Sequence, residues 1–109
     1  MAIDRNHPKY QQLLKVSNPT TVVGKKNTYL GKDIPIFISD NKDKKYMIIT
    51  PDNKRVHFGS IGYEDFTRHK DESRRENYLK RSGNIKGNWK QDKYSPNLLS
   101  RVLLWGADF

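Results

Sequence analysis

Cysteine is missing from all 109 residues. Its absence excludes disulfides, thiolate metal sites and cysteine nucleophiles, and the composition suits a reducing compartment. Apolar residues are also scarce, at 34% against 30% charged, below the usual globular share. A chain of this length buries only about two-thirds of its unfolded surface. The core is therefore expected to be thin, and two readings stand side by side: a fold that leans in part on a partner, and a marginal but self-sufficient domain. No apolar run approaches the roughly 20 residues that a membrane-spanning helix needs. The opening Met1-Ala2-Ile3-Asp4-Arg5-Asn6 has no apolar signal-peptide core, so neither a membrane span nor a secretory route is expected.

Chemistry-bearing motifs are equally sparse. Gly59-Ser60-Ile61-Gly62 is too short for a phosphate loop and lacks the lysine and hydroxyl residue that follow one; a turn is its simpler role. His57, Asp65, His69 and Asp71 invite a hydrolytic or metal reading, but their spacing fits no metal or nuclease motif. No helix-turn-helix, zinc-finger or RNA-recognition signature is present. The expectation is a binding protein with no catalytic residue, metal or cofactor, and an enzyme using His57, His69 and Asp65 is the last-ranked alternative.

What the chain does have is positive charge. Lys and Arg number 21 against 12 Asp and Glu, a net charge of +9, spread along the length, which favours polyanions or acidic protein surfaces without naming either. The densest stretch holds Arg68, Lys70, Arg74, Arg75, Lys80 and Arg81 around Tyr78, with Trp89 and Lys90 following. Guanidinium groups dock phosphates and carboxylates bidentately. Asp71, Glu72 and Glu76 are interleaved, so a solvated face with internal pairing is the plainer reading.

The expected fold is α+β, a small single domain with a β-hairpin or short antiparallel sheet packed by two or three short helices. Residues 1–43 read as an N-terminal helix and an extended arm, and residues 44–109 as a basic hairpin-plus-helices module, with a boundary near Asn41. Pro8 to Val16 is expected as a helix stopped by Ser17-Asn18-Pro19. The β-branched Thr20-Thr21-Val22-Val23 predicts a short strand, Gly24-Lys25-Lys26-Asn27 a turn, and Thr28-Tyr29-Leu30 a second strand. Ile34–Ser39 predicts a strand that Pro35 pushes toward a sheet edge or a bulge. Lys45–Thr50 and Arg55–Phe58 form a hairpin around Pro51-Asp52-Asn53. A helix begins at Asp71 or Glu72 and ends near Arg81, and Ile85–Tyr94 is a loop. Ser95 caps a last, largely buried helix carrying Leu98, Leu99, Val102, Leu103 and Trp105. Tyr63, Phe66, Tyr78, Trp89, Leu103 and Trp105 are the expected apolar anchors.

One longer pattern joins these pieces. Val56-His57-Phe58-Gly59, Gly62-Tyr63, Asp65-Phe66-Thr67, His69-Lys70-Asp71, Arg74-Arg75, Tyr78, Arg81, Ser100 and Leu103-Leu104-Trp105 follow one another in an order that resembles a small uncharacterised protein family of large nucleocytoplasmic double-stranded DNA viruses of algae and amoebae. The resemblance covers residues 44–106. It implies a virion setting, with host cytoplasm as the place of assembly. It further implies a minor capsid protein, cementing major capsid proteins on the inner face of the shell and touching other minor capsid proteins. The alternative is a virion-packaged basic protein that binds DNA. In either case Arg68, Lys70, Arg74, Arg75, Lys80, Arg81 and Lys90 would meet the acidic or polyanionic partner.

Overall fold

The computed structural model describes residues 3–107. Its element order is α1 (Tyr10–Val16), α2 (Pro19–Leu30), β1 (Ile36–Ile38), β2 (Lys44–Ile49), β3 (Arg55–Ser60), α3 (Phe66–His69), α4 (Glu72–Gly83), a 3-10 turn at Trp89–Gln91, and α5 (Pro96–Leu99), which continues as a π-helical turn at Ser100–Leu104. The protein is α+β, with one three-stranded antiparallel sheet in the order β1-β2-β3. The β2–β3 register pairs Tyr46 with Phe58 and Ile48 with Val56, and Asn53 takes the positive φ that the hairpin turn requires. Strand β1 lies at the edge, short and preceded by Pro35, a position where a missing amide donor is tolerated.

The second helix corrects the strand–turn–strand expectation for residues 20–30. Asn18 accepts a hydrogen bond from the Thr21 amide and Pro19 fills the first helical position, a strong start signal. Val22 and Lys26 are buried four residues apart on one side, and the helix packs on the π-helical turn. Burial of such a face outweighs the few tenths of a kcal/mol by which β-branched residues disfavour a helix. At its end Lys26 Nζ donates to the Gly31 carbonyl at 3.2 Å, placing a cation at the negative end of the helix.

Residues 3–43 are thus folded against the rest of the chain, and the extended arm expected there is not observed. Leu13, Val22, Ile34, Ile36 and Ile38 join Tyr46, Ile48, Phe58, Leu99, Val102, Leu103 and Leu104 in one core. Each such side chain contributes about 1.5–3 kcal/mol on full burial. The radius of gyration is 13.0 Å, the size expected of a domain of this length folding on itself. Tyr63 and Ile85 are the large hydrophobics left exposed among the described residues. Both observations run against the reading in which the fold borrows burial from a neighbour. The Ile85–Tyr94 loop contains the 3-10 turn at Trp89–Gln91.

Two arginines tie α4 to the end of the last helix. Arg75 Nε donates to the Trp105 carbonyl and Nη2 to the Gly106 carbonyl, both at 2.9 Å. Arg101 Nη1 returns the grip on Leu79 O at 2.6 Å and Ser82 Oγ at 2.7 Å. Hydrogen bonds from a charged donor contribute about 1.5–3 kcal/mol, so Arg101→Ala is expected to lose that much in urea unfolding. Arg101→Lys should recover only part, because an ammonium cannot reproduce the planar fork. Equal unfolding midpoints for wild type and Arg101→Ala would show that the clasp contributes nothing.

Candidate anion-binding cleft

Where the open end of the hairpin meets α4 and the π-helical turn, a cleft of about 550 Å³ opens. That volume lies within the range of small-molecule sites. Strand β2 contributes Lys44 and Lys45, β3 contributes Gly59 and Ser60, and α4 contributes Arg74, Asn77, Tyr78 and Arg81. The π-helical turn brings in Ser100 and Leu104, with Trp105 following it. A wide turn of this kind inside a helix often re-aims side chains at functional sites.

Lys45 forms the floor. Its ammonium lies 3.1 Å from Asp65 Oδ2, and both side chains are almost fully buried, at 3% and 1% exposure. Burial pulls the Lys45 pKa below the ordinary lysine value, and the Asp65 charge opposes that pull without cancelling it. Gly59 makes room for the lysine stem. With φ at +81°, it leaves vacant a position where a Cβ would stand 2.7 Å from Leu104 Cδ1 and 3.3 Å from two carbons of Lys45. Asp65 also accepts from the Thr67 amide at 3.0 Å and from the Thr67 hydroxyl, capping α3. Thr67 Oγ1 in turn reaches Ser17 Oγ at 3.3 Å, and Ser17 meets the Tyr46 hydroxyl at 2.7 Å. Burial raises the Tyr46 pKa, holding the phenol neutral.

Most aromatic residues near the cleft are already stacked. Trp105 lies 4.2 Å from Tyr78, nearly parallel, and His69 tilts against Trp105 at 5.2 Å. Arg81 sits over Tyr78, and Arg75 over Phe66. Trp89 carries both Lys90 and Arg101 and donates its indole N–H to Ile85 O. Burial raises the Tyr78 pKa, and the Ser100 hydroxyl works against the shift. Leu103 is fully buried, and Phe66, Tyr78 and Trp105 are partly buried. Tyr63, expected as a core anchor, instead stands 73% exposed on the cleft's rim.

The expected cationic residues divide by position. Arg74 and Arg81 line the cleft. Arg68, Lys70, Lys80 and Lys90 are exposed outside it. Arg75 is spent on backbone carbonyls and on a 3.6 Å pair with Glu72, so it is a strut and has little to offer a partner. Lys44, Lys45, Ser60 and Ser100 were not foreseen. The Lys44-Lys45 pair at a strand start followed by a glycine on the partner strand is the only hint the sequence carries.

The residues that invited a hydrolytic reading sit apart in their bonding. His57 Nδ1 bonds Ser39 Oγ at 2.7 Å and its Nε2 faces Asp40, whereas Asp65 is held by Lys45. His69 Nδ1 accepts the Asp71 amide at 2.9 Å, and burial lowers its pKa. Among the described residues no group of three or more His, Asp or Glu is placed to hold a metal ion, and no helix is long and apolar enough to cross a membrane.

Residues 35–82 match a family of unknown function (DUF5754). The matched segment runs from the start of the edge strand almost to the end of α4, and so contains the Lys45–Asp65 pair, Gly59 and the cationic stretch. No curated protein and no solved structure matches the chain.

Proposed function

We propose that this chain is a structural protein of a virus particle, a minor capsid protein that cements major capsid proteins on the inner face of the shell. The viral setting is what the resemblance of residues 44–106 implies. The observation that carries the binding role is the row of exposed cations on α3 and α4. Arg68, Lys70, Lys80 and Arg81 make no salt bridge among the described residues, so their charge remains available to carboxylates on a partner. The rings of Tyr78 and Trp105 are stacked on each other and Trp89 is covered by Lys90 and Arg101, which favours contact by charge over base stacking.

A second reading, a virion-packaged nucleic-acid-binding protein, is favoured by the net charge of +9 and by phosphate contacts that need no aromatic platform. One set of measurements separates the two. In the first, shell and core fractions of purified particles place the chain in the shell. The purified chain then binds isolated major capsid protein, and Glu replacements at Arg68, Lys70, Lys80 and Arg81 abolish that binding. In the second, the chain travels with the core fraction and binds DNA with an affinity that falls steeply with salt, by about 0.9 of a log unit per log unit of salt for each phosphate contacted. Retention of capsid binding by the quadruple variant overturns the first reading, and no DNA binding at low salt overturns the second.

A further inference from the structure

We propose that the cleft between the hairpin, α4 and the π-helical turn is a binding site for a nucleoside polyphosphate. The inference goes beyond the docking role and does not depend on it. Lys44, Lys45, Arg74 and Arg81 line the cleft. Asp65 neutralises Lys45 and Glu64 approaches Arg74 at 3.9 Å, which leaves two cations in excess. Arg81 is held in place by its contact with the Tyr78 ring, and Lys44 makes no salt bridge among the described residues. Lys44 on β2 and Arg81 on α4 line one concavity from two different elements, and such a concavity suits a compact, multiply charged anion better than a flat surface does.

The remainder of the ligand is indicated by Tyr63. The ring is exposed on the rim and, among the described residues, is in no stacking or cation contact. A planar base laid on it would have its phosphates directed inward to Lys44 and Arg81. Ser60 and Asn77 also line the cleft and add neutral hydrogen-bonding groups to it.

Isothermal titration of the full chain with ATP, adenosine and tripolyphosphate at low salt tests this. ATP and tripolyphosphate are expected to bind, and adenosine is not. Lys44→Glu should weaken both anions at least about tenfold, the loss of one charge-assisted contact and its reversal. Tyr63→Ala should weaken ATP by about fivefold or more, the lower end of a stacking contribution, and leave tripolyphosphate unchanged. The Arg68→Glu/Lys70→Glu pair, exposed cations outside the cleft, should bind ATP as wild type does. Lys44→Gln serves if the reversal alters the circular dichroism. Absence of ATP binding at millimolar concentration overturns the proposal. So does an Arg68/Lys70 effect equal to that of Lys44, or a Tyr63→Ala variant that binds ATP unchanged. Arg81 belongs to both the docking face and the cleft, so the cleft is tested at Lys44 and Tyr63, which the docking variants leave intact, and the two proposals fail on different variants.

Discussion

Asp65→Ala will cost the protein about 3–5 kcal/mol, the range for stripping a buried charge of its partner. The carboxylate is 1% exposed and the Lys45 ammonium beside it 3%, so water cannot replace what is removed. The same substitution takes away the acceptor for the Thr67 amide and hydroxyl, and with it the start of α3. For a domain of this size such a loss is a large part of total stability, and urea unfolding should show it as a much lower midpoint. Asp65→Asn keeps the shape and should still lose most of the stability, because the unpaired charge of Lys45 stays. The double replacement Lys45→Met/Asp65→Leu should be more stable than either single variant, as apolar isosteres of buried ion pairs often are. A loss below about 1 kcal/mol, or a double variant no better than Asp65→Ala, would show that the pair is effectively solvated.

Lys45 also predicts a direction with pH. Its folded pKa lies below the unfolded one, chiefly through burial. Between those two values the unfolded chain binds more protons than the folded one, and stability rises with pH. The gain is complete above the ordinary lysine pKa of 10.5 and is lost as pH falls through the folded value. Without Asp65 the folded pKa drops further, so the rising limb in the Asp65→Ala variant should begin at lower pH.

Gly59→Val carries the second large effect. The backbone there has φ +81°, and the new Cβ would stand 2.7 Å from Leu104 Cδ1. A β-branched residue at positive φ costs about 1–3 kcal/mol in backbone strain, and overfilling a packed site about 1–3 more. Leu104 is itself buried and the Lys45 stem closes the other side, so there is little room to yield. Gly62→Ala is the control. That glycine has no positive φ and nothing within 4 Å of its would-be Cβ, and the change should stay within about 0.5 kcal/mol. Equal melting temperatures for Gly59→Val and Gly62→Ala would refute the packing described here.

The parts of this fold that were legible in the sequence are those fixed by local chemistry. Asn53 announces its turn, Pro35 an edge or a bulge, Asp71-Glu72 the start of α4, and Ser95-Pro96 the start of the last helix. Helix α2 was misread because four β-branched residues in a row outvoted Asn18-Pro19, which stops α1 and also starts α2. Position in the core decided that segment, and position is not a local property. The short α3 was missed for the same reason, since its cap, Asp65, is held from strand β2 by Lys45. Arg74 and Arg81 could be picked out as exposed cations, but nothing in the order of residues brings Lys44 and Ser100 to them. That meeting requires the hairpin register and a wide turn in the last helix. The aromatic residues were found by type, yet whether a ring is free or stacked depends on neighbours up to 36 positions away, as Trp105 on His69 illustrates.

One lysine near the beginning of the chain has a reach out of proportion to its size. Lys9 Nζ donates to Ser39 O at 3.0 Å, to Asn41 O at 2.8 Å and to Lys44 O, spanning the bend between β1 and β2 and the first residue of β2. The ammonium behaves there like a cation held by a ring of carbonyls, and the bend is shaped around it. Acetylation of this amine would remove two of its three protons from that cage, loosening the bend that sets up Lys44. A modification thirty-five residues upstream would then be felt at the mouth of the cleft, without any change to the residues that line it.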